Sequence, residues 1–254
     1  MQPVDLGLDG HVALVTGASR GIGHDLALAL AAAGATVAAG VRSPADGEPL
    51  TAEAVTAGLD VRPVVLDVTR SDSIDAAVKQ VLAWRGRIDV LVNDAGLGAN
   101  HDALDVTEAD WDQMMDVNLK GLFFVTQRVA RAMVERRYGR IVHVGSQAGL
   151  VGIRRHAVYG ASKGAVHQLT KVLALEWAPS GVTVNAVAPT YVRTPGTADR
   201  LDDPETAADI LARIPVGRFA TTADVAAAVQ YLASPAAGMV TGTVIPVDGG
   251  WTAQ

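Results

Sequence analysis

The chain has 254 residues, enough for one α/β unit with a substantial core, and it is 49% hydrophobic but only 4% aromatic, so that core must be built from Ala, Val, Leu and Ile. Its net charge of −6, with no basic block, excludes nucleic acid and anionic membranes as natural partners, and the absence of cysteine excludes disulfides, thiolate catalysis and cysteine-held metals. The acidic opening lacks a secretory pattern, the most apolar stretch, residues 26–41, is broken at Gly34 and too short for a bilayer, and the absence of cysteine fits the expectation of a cytoplasmic protein.

HVALVT (11–16) is a short β-type run, followed at once by GASRGIG and an apolar helix to about residue 33. Strand, glycine turn and helix in that order let a backbone approach a pyrophosphate. The glycines remove side-chain bulk, and the helix N-terminus offers unpaired N–H groups and a favourable dipole. A second strand, residues 35–41, ends where a ribose-binding acid is expected, about twenty residues beyond the glycines. Val41 stands there instead, followed by Arg42, and Arg20 sits inside the glycine turn. Two guanidiniums near one ribose suit the 2′-phosphate that NADP carries and NAD lacks.

The alternation continues with a helix near 50–58, a strand at 61–67, a helix at 71–84 and a strand at 88–93. Thr107 and Asp110 form a capping box for a long helix running to about Tyr138 and stopped by Gly139, with the poor helix former Asn118 in its middle. A strand at 139–146 ends on Ser146, and a helix to about residue 178 then carries Tyr159 and Lys163, four residues and therefore one turn apart on one face. An ammonium beside a phenol favours the phenolate, so Tyr159 suits proton exchange with a substrate oxygen, and Ser146 can hydrogen-bond the same atom.

After a strand at 182–189, residues 195–215 are polar and irregular, as in a substrate lid. A helix capped at Thr221 and Asp224, a strand at 241–248 and a turn at Gly249 and Gly250 complete the chain. About seven such alternations predict a doubly wound parallel sheet with helices on both faces, one α/β domain over 1–254. The six histidines show no metal-ligand spacing, so no metal is expected.

TGASRGIG (16–23), NDAG (93–96), VNLKG (117–121), Ser146 and YGASK (159–163) together resemble the short-chain dehydrogenase/reductase family, over about residues 8–251. The resemblance implies a Rossmann-like fold, NADP (NADPH) as cofactor, a homotetramer, and a catalytic set of Asn118, Ser146, Tyr159 and Lys163. In that set Tyr159 is the acid during reduction and Ser146 holds the same oxygen. Lys163 assists Tyr159 and holds the nicotinamide ribose, and Asn118 distorts its helix and completes a proton path. Further cofactor contacts are implied at Gly17, Ser19, Arg20, Gly21, Ile22, Gly23, Arg42, Asp67, Val68, Asn93, Ala95 and Gly96, and at Pro189, Thr190, Val192 and Thr194. Two positions depart from the family. Asp94 replaces an asparagine and, when ionised, cannot donate a hydrogen bond. Thr190 replaces a glycine, and a β-branched residue resists positive φ.

The implied reaction interconverts a secondary alcohol and a ketone. A narrower likeness of SQAG (146–149), GAVHQLTKVLALEW (164–177) and APTYV (188–192) to bacterial sugar-alcohol dehydrogenases points to a small polyol or hydroxyketone. Gln147, Arg154, His156 and Tyr191 flank the catalytic groups and can hydrogen-bond substrate hydroxyls. One alternative is reduction of a 3-oxoacyl chain on acyl carrier protein, for which TGASRGIG is typical. Arg131 stands at one of the docking positions that reaction needs, but Leu175 stands where the other arginine is expected. The second alternative, a nucleotide-binding regulatory protein without turnover, conflicts with the intact catalytic set.

Overall fold

The computed structural model describes residues 6–253. Short runs of branched aliphatic residues form seven strands: β1 (Val12–Thr16), β2 (Thr36–Val41), β3 (Val61–Val65), β4 (Val90–Asn93), β5 (Gly139–Val144), β6 (Val182–Pro189) and β7 (Val244–Val247). All pair in parallel in the order β3-β2-β1-β4-β5-β6-β7. The central strands β1, β4, β5 and β6 are buried along their whole length, which requires cover on both faces. Pro63 and Pro246 fall in the two edge strands β3 and β7, and Pro189 stands at the last position of β6, where the ladder ends.

The cover comes from helices α1 (Gly21–Ala32), α2 (Glu48–Thr56), α3 (Ser71–Arg85), α4 (Glu108–Met115), α5 (Leu122–Arg136), α6 (Ala157–Trp177), α7 (Ala198–Asp202), α8 (Pro204–Leu211) and α9 (Thr222–Ala233). The pleat sorts them. Ala13 and Val15 of β1 join the cluster of Leu26 and Leu30 from α1 and Val225 and Val229 from α9. Val12 and Leu14 point the other way, into Ile74 and Val78 of α3, Val125 and Val129 of α5, and Leu173 of α6. Strand order reverses between β1 and β4, so the carboxyl ends of the strands open a crevice at that point.

The structure departs from the sequence expectations in three places. The long helix of 107–138 is not continuous but two α-helices joined by a π-helical turn over Asp116–Gly121, at the Asn118 where the resemblance implies a distortion, and the turn brings Asn118 inward at zero exposure. Its end is Arg137, at φ 55, and Gly139 instead opens β5, where a Cβ would lie 2.8 Å from Met133 Cγ. The 195–215 segment is not irregular. It folds as α7 and α8, with Pro204 opening α8 and the Asp203 carboxylate accepting from Thr206 N–H at 2.9 Å. Leu201, Ile210 and Ile214 bury there against Tyr191, Phe219 and Trp251. Both expected capping boxes form, Thr107 with Asp110 and Thr221 with Asp224.

Candidate active site

The glycine turn is shaped by what would collide with a side chain. Gly17 and Gly21 take φ of 70 and 63, and a Cβ on Gly17 would lie 2.8 Å from Ala95 Cα. At Gly23 it would lie 2.5 Å from the Gly17 carbonyl oxygen. Thr16 Oγ1 accepts from the N–H groups of both Asp94 and Ala95 at 3.1 Å, which ties this turn to the end of β4. Among the described residues, Ser19, Arg20 and Arg42 make no side-chain hydrogen bond or ion pair, and both guanidiniums are exposed beside the buried Val41. Asp46, the acid nearest in sequence to Arg42, is occupied by Ser43, whose N–H and hydroxyl donate to it at 3.0 and 2.9 Å.

Further along the crevice, Asp67 Oδ1 accepts from the N–H and hydroxyl of Thr69, and the Val68 carbonyl is packed so closely on Gly121 that a Cβ there would sit 2.7 Å away. Asn93 donates to Thr126 Oγ1 at 2.9 Å, a tie between β4 and α5. Asp94 lies beside the amide of Gly23, which donates to it. Burial pushes its carboxyl up to about 7, against the opposing pull of Lys163 and of that amide. The departure from asparagine has therefore placed a titrating group in the crevice wall.

The residues expected to be catalytic come together from separate elements. Ser146 follows β5, and its Oγ accepts from Ala148 N–H at 3.1 Å, leaving its hydroxyl proton to donate. Tyr159 and Lys163 lie on α6, with the ammonium 5.7 Å from the centroid of the phenol ring. Lys163 is held by donating to the Val144 carbonyl at 2.8 Å. The turn Gln147–Gly149 packs directly on α6, and a Cβ on Gly149 would lie 2.6 Å from the Lys163 carbonyl carbon. Asn118 uses its whole side chain on its neighbours. Oδ1 accepts from Leu97 N–H at 2.7 Å, and Nδ2 donates to the Leu97 carbonyl at 2.9 Å and to Ser162 Oγ at 3.2 Å. That makes Asn118 a positioning residue for the loop after β4.

Ser146, Tyr159 and Lys163 open into one cavity of about 480 Å³. Its wall includes the expected Arg20, Gly21, Ile22, Gly96, Gln147, His156, Pro189, Thr190, Tyr191, Val192 and Thr194. Gly17, Ser19, Gly23, Arg42, Asp67, Val68, Asn93, Ala95 and Asn118 do not line it, and neither does Arg154, whose carbonyl instead accepts from His156 Nδ1 at 2.8 Å. That bond leaves His156 Nε2 as the ring's acceptor, and burial, with Arg200 and Arg155 nearby, holds the imidazole below its ordinary range and neutral. Gln147 is 2% exposed, and its Oε1 has no partner. Thr190 takes no positive φ, so the turn it opens differs from a glycine turn, and its buried Oγ1 is likewise unpartnered. The wall also holds residues that pattern reading missed, among them Asn100, Ile153 and Arg200. No group of three or more potential metal ligands occurs among the described residues, and no helix there is long and apolar enough to cross a membrane.

A family profile described as enoyl-(acyl carrier protein) reductase, a short-chain dehydrogenase type, matches residues 17–252. The chain is a short-chain dehydrogenase/reductase. Among the relatives of this short-chain dehydrogenase/reductase, a galactitol 2-dehydrogenase (L-tagatose-forming) of Cereibacter sphaeroides is 43% identical, with 96% of each chain covered. A 3-oxoacyl-[acyl-carrier-protein] reductase of Thermotoga maritima is 44% identical, over 96% of this chain and 98% of the other. A gluconate 5-dehydrogenase from Burkholderia cenocepacia, crystallised with NADP and tartrate, is 36% identical with a TM-score of 0.94 and 98% of each chain covered.

The residues present fit such a dinucleotide. The glycine cradle has no room for side chains, the orphaned Thr190 Oγ1 waits at one end, and two unpaired arginines flank the other. The cavity runs from Ser146 and Tyr159 to Tyr191 and to Arg200 of α7.

Proposed function

We propose that the protein is an NADP-dependent oxidoreductase interconverting a small polyol and the corresponding hydroxyketone. The observation that carries this reading is the unpartnered, buried Oε1 of Gln147 in the wall beside Ser146, with His156 Nε2 and Tyr191 on the same cavity. A buried acceptor without a partner is costly unless a ligand supplies a donor, and substrate hydroxyls do so. Alkyl chains do not.

When bound, NADP supplies or receives the hydride. During reduction Tyr159 donates its phenolic proton to the carbonyl oxygen, and Ser146 donates a hydrogen bond to the same atom. Lys163 holds the nicotinamide ribose beside Tyr159, and Asn118 keeps the loop that closes this end of the site. Arg20 and Arg42 take the 2′-phosphate. Helices α7 and α8 act as the substrate lid of a single-domain enzyme. The carrier-protein reading has less support, because Leu175 stands 80% exposed at the position where a second docking arginine is expected. The experiment that tests the proposal is a comparison of kcat/KM for polyhydroxylated ketones, alkyl ketones and 3-oxoacyl thioesters with both nicotinamide cofactors.

A further inference from the structure

The three relatives above act, by their names, on a neutral polyol, on an acyl thioester and on a sugar acid, so they leave the charge of this chain's substrate open. The cavity itself carries information on that point. Four charged side chains line it: Arg20, Asp94, Lys163 and Arg200. Arg20 belongs to the glycine turn. Asp94 sits beside the Gly23 amide and Lys163, and Lys163 is held by the Val144 carbonyl next to Tyr159. Of these four, Arg200 is the one bonded to Tyr191 and acting on His156, whose other charged neighbour, Arg155, does not line the cavity.

Arg200 stands on lid helix α7 and has no carboxylate partner among the described residues. Its neighbours on the same segment are paired, Arg193 with Asp202 at 2.7 Å and Arg213 with Asp209 at 3.1 Å. Arg200 is instead aimed by an aromatic residue. Its Nη2 donates to Tyr191 Oη at 3.2 Å, and its Cζ lies 5.0 Å from the Tyr191 ring centroid, while that ring packs in turn against Trp251 at 5.8 Å between centroids. This support fixes the guanidinium without neutralising it and uses one of its five N–H donors. His156, held below its ordinary range by burial, is neutral and adds no charge, and the Tyr191 phenol, pushed up by burial, adds none either.

A half-buried guanidinium with a planar fork of free donors matches a carboxylate in geometry as well as charge. We propose that Arg200 is the carboxylate-binding residue of the substrate site, and that the substrate is a polyhydroxy acid of the aldonate class together with its keto form. The inference rests on the oxidoreductase reading above and adds the charge of the substrate to it. The balance of the reaction is unchanged. The carbinol carbon loses a hydride to NADP, its oxygen loses a proton through Tyr159, and the carboxylate is a spectator that orients the chain.

The test compares matched pairs, gluconate with glucitol and threonate with threitol, in wild-type protein and in the Arg200→Gln and Arg200→Lys variants. The wild-type enzyme is expected to favour the acid of each pair by tenfold or more in kcat/KM. In Arg200→Gln the acid-to-polyol ratio falls at least tenfold, mainly through KM, and Arg200→Lys recovers part of it. A second readout needs no turnover: calorimetric titration of gluconate into protein saturated with NADPH shows binding that weakens at least tenfold in Arg200→Gln and at raised salt. Equal or better use of the neutral polyol by the wild type overturns the proposal. So does an equal loss for both members of a pair in Arg200→Gln, which would make Arg200 a support for Tyr191 and the lid. Turnover of alkyl ketones or acyl thioesters with neither acids nor polyols used contradicts the underlying oxidoreductase reading instead, so the two failures are distinguishable.

Discussion

Asp94 shows how a single residue can set a pH dependence. Its carboxyl titrates near 7 in the folded chain because burial outweighs the attraction of Lys163 and the Gly23 amide, whereas an unfolded aspartate titrates near 4. Between those values the folded protein holds a proton that the unfolded chain has released, so stability falls as pH rises through this window, and the full penalty is present above about pH 7. Asp94→Asn removes the titration and keeps an oxygen for the Gly23 N–H. The substitution should raise the melting temperature more at pH 8 than at pH 5, by roughly 2–8 °C, the equivalent of about 1–2 kcal/mol after solvent screening. Thermal unfolding at the two pH values checks it, and an equal shift at both would count against the assignment. The residues legible in the sequence were those whose chemistry lies in local spacing, such as Tyr159 with Lys163. Arg200 was not legible, because its meaning depends on Tyr191 and on a lid fold that no periodicity announces.

At the scale of elements, the strands were readable because uninterrupted Val, Ile and Ala runs demand a sheet covered on both faces, and both capping boxes were readable from Thr and Asp three residues apart. A distortion at Asn118 was expected from the resemblance, but the bounds of the π turn at Asp116–Gly121 were not readable, since the pattern of an amphipathic helix runs through it and the bonds between Leu97 and the Asn118 amide form only in the fold. Helices α7 and α8 have 5 and 8 residues, too few for the 3.6-residue period to rise above a loop. The short turn Gln147–Gly149 yields the element-level prediction. Gly149 meets the backbone of α6, with Lys163 C and Gly164 N at 2.6 and 2.7 Å from where a Cβ would stand, and backbone cannot rotate away. Gly149→Ala should therefore cost about 1–3 kcal/mol of stability and lower kcat by shifting the helix that carries Tyr159 and Lys163. Calorimetric melting together with steady-state rates checks both parts, and wild-type values for both would show that the turn tolerates the methyl.

At the scale of the molecule, the helix that carries Tyr159 and Lys163 also faces outward. Trp111 on α4 is 46% exposed, and Val172 and Leu175 on α6 are 41% and 80% exposed, an apolar set on two helices that pack together. We propose that α4, α5 and α6 form one interface of a homotetramer, which would cover these side chains and brace α6. Light scattering at micromolar concentration should give the mass of four chains, and Leu175→Glu should lower it. A monomer mass for the wild type contradicts the proposal. The action proposed for this short-chain dehydrogenase/reductase, with NADP(H) on a small polyhydroxylated substrate, is tested most directly by a single set of kcat/KM values. A ketose or keto-aldonate should exceed both the alkyl ketone of equal carbon number and a 3-oxoacyl thioester by tenfold or more, about 1.4 kcal/mol in transition-state binding, with NADPH preferred over NADH by about ten- to a hundredfold. An alkyl ketone or thioester winning by that margin, or NADH serving equally well, would contradict the account.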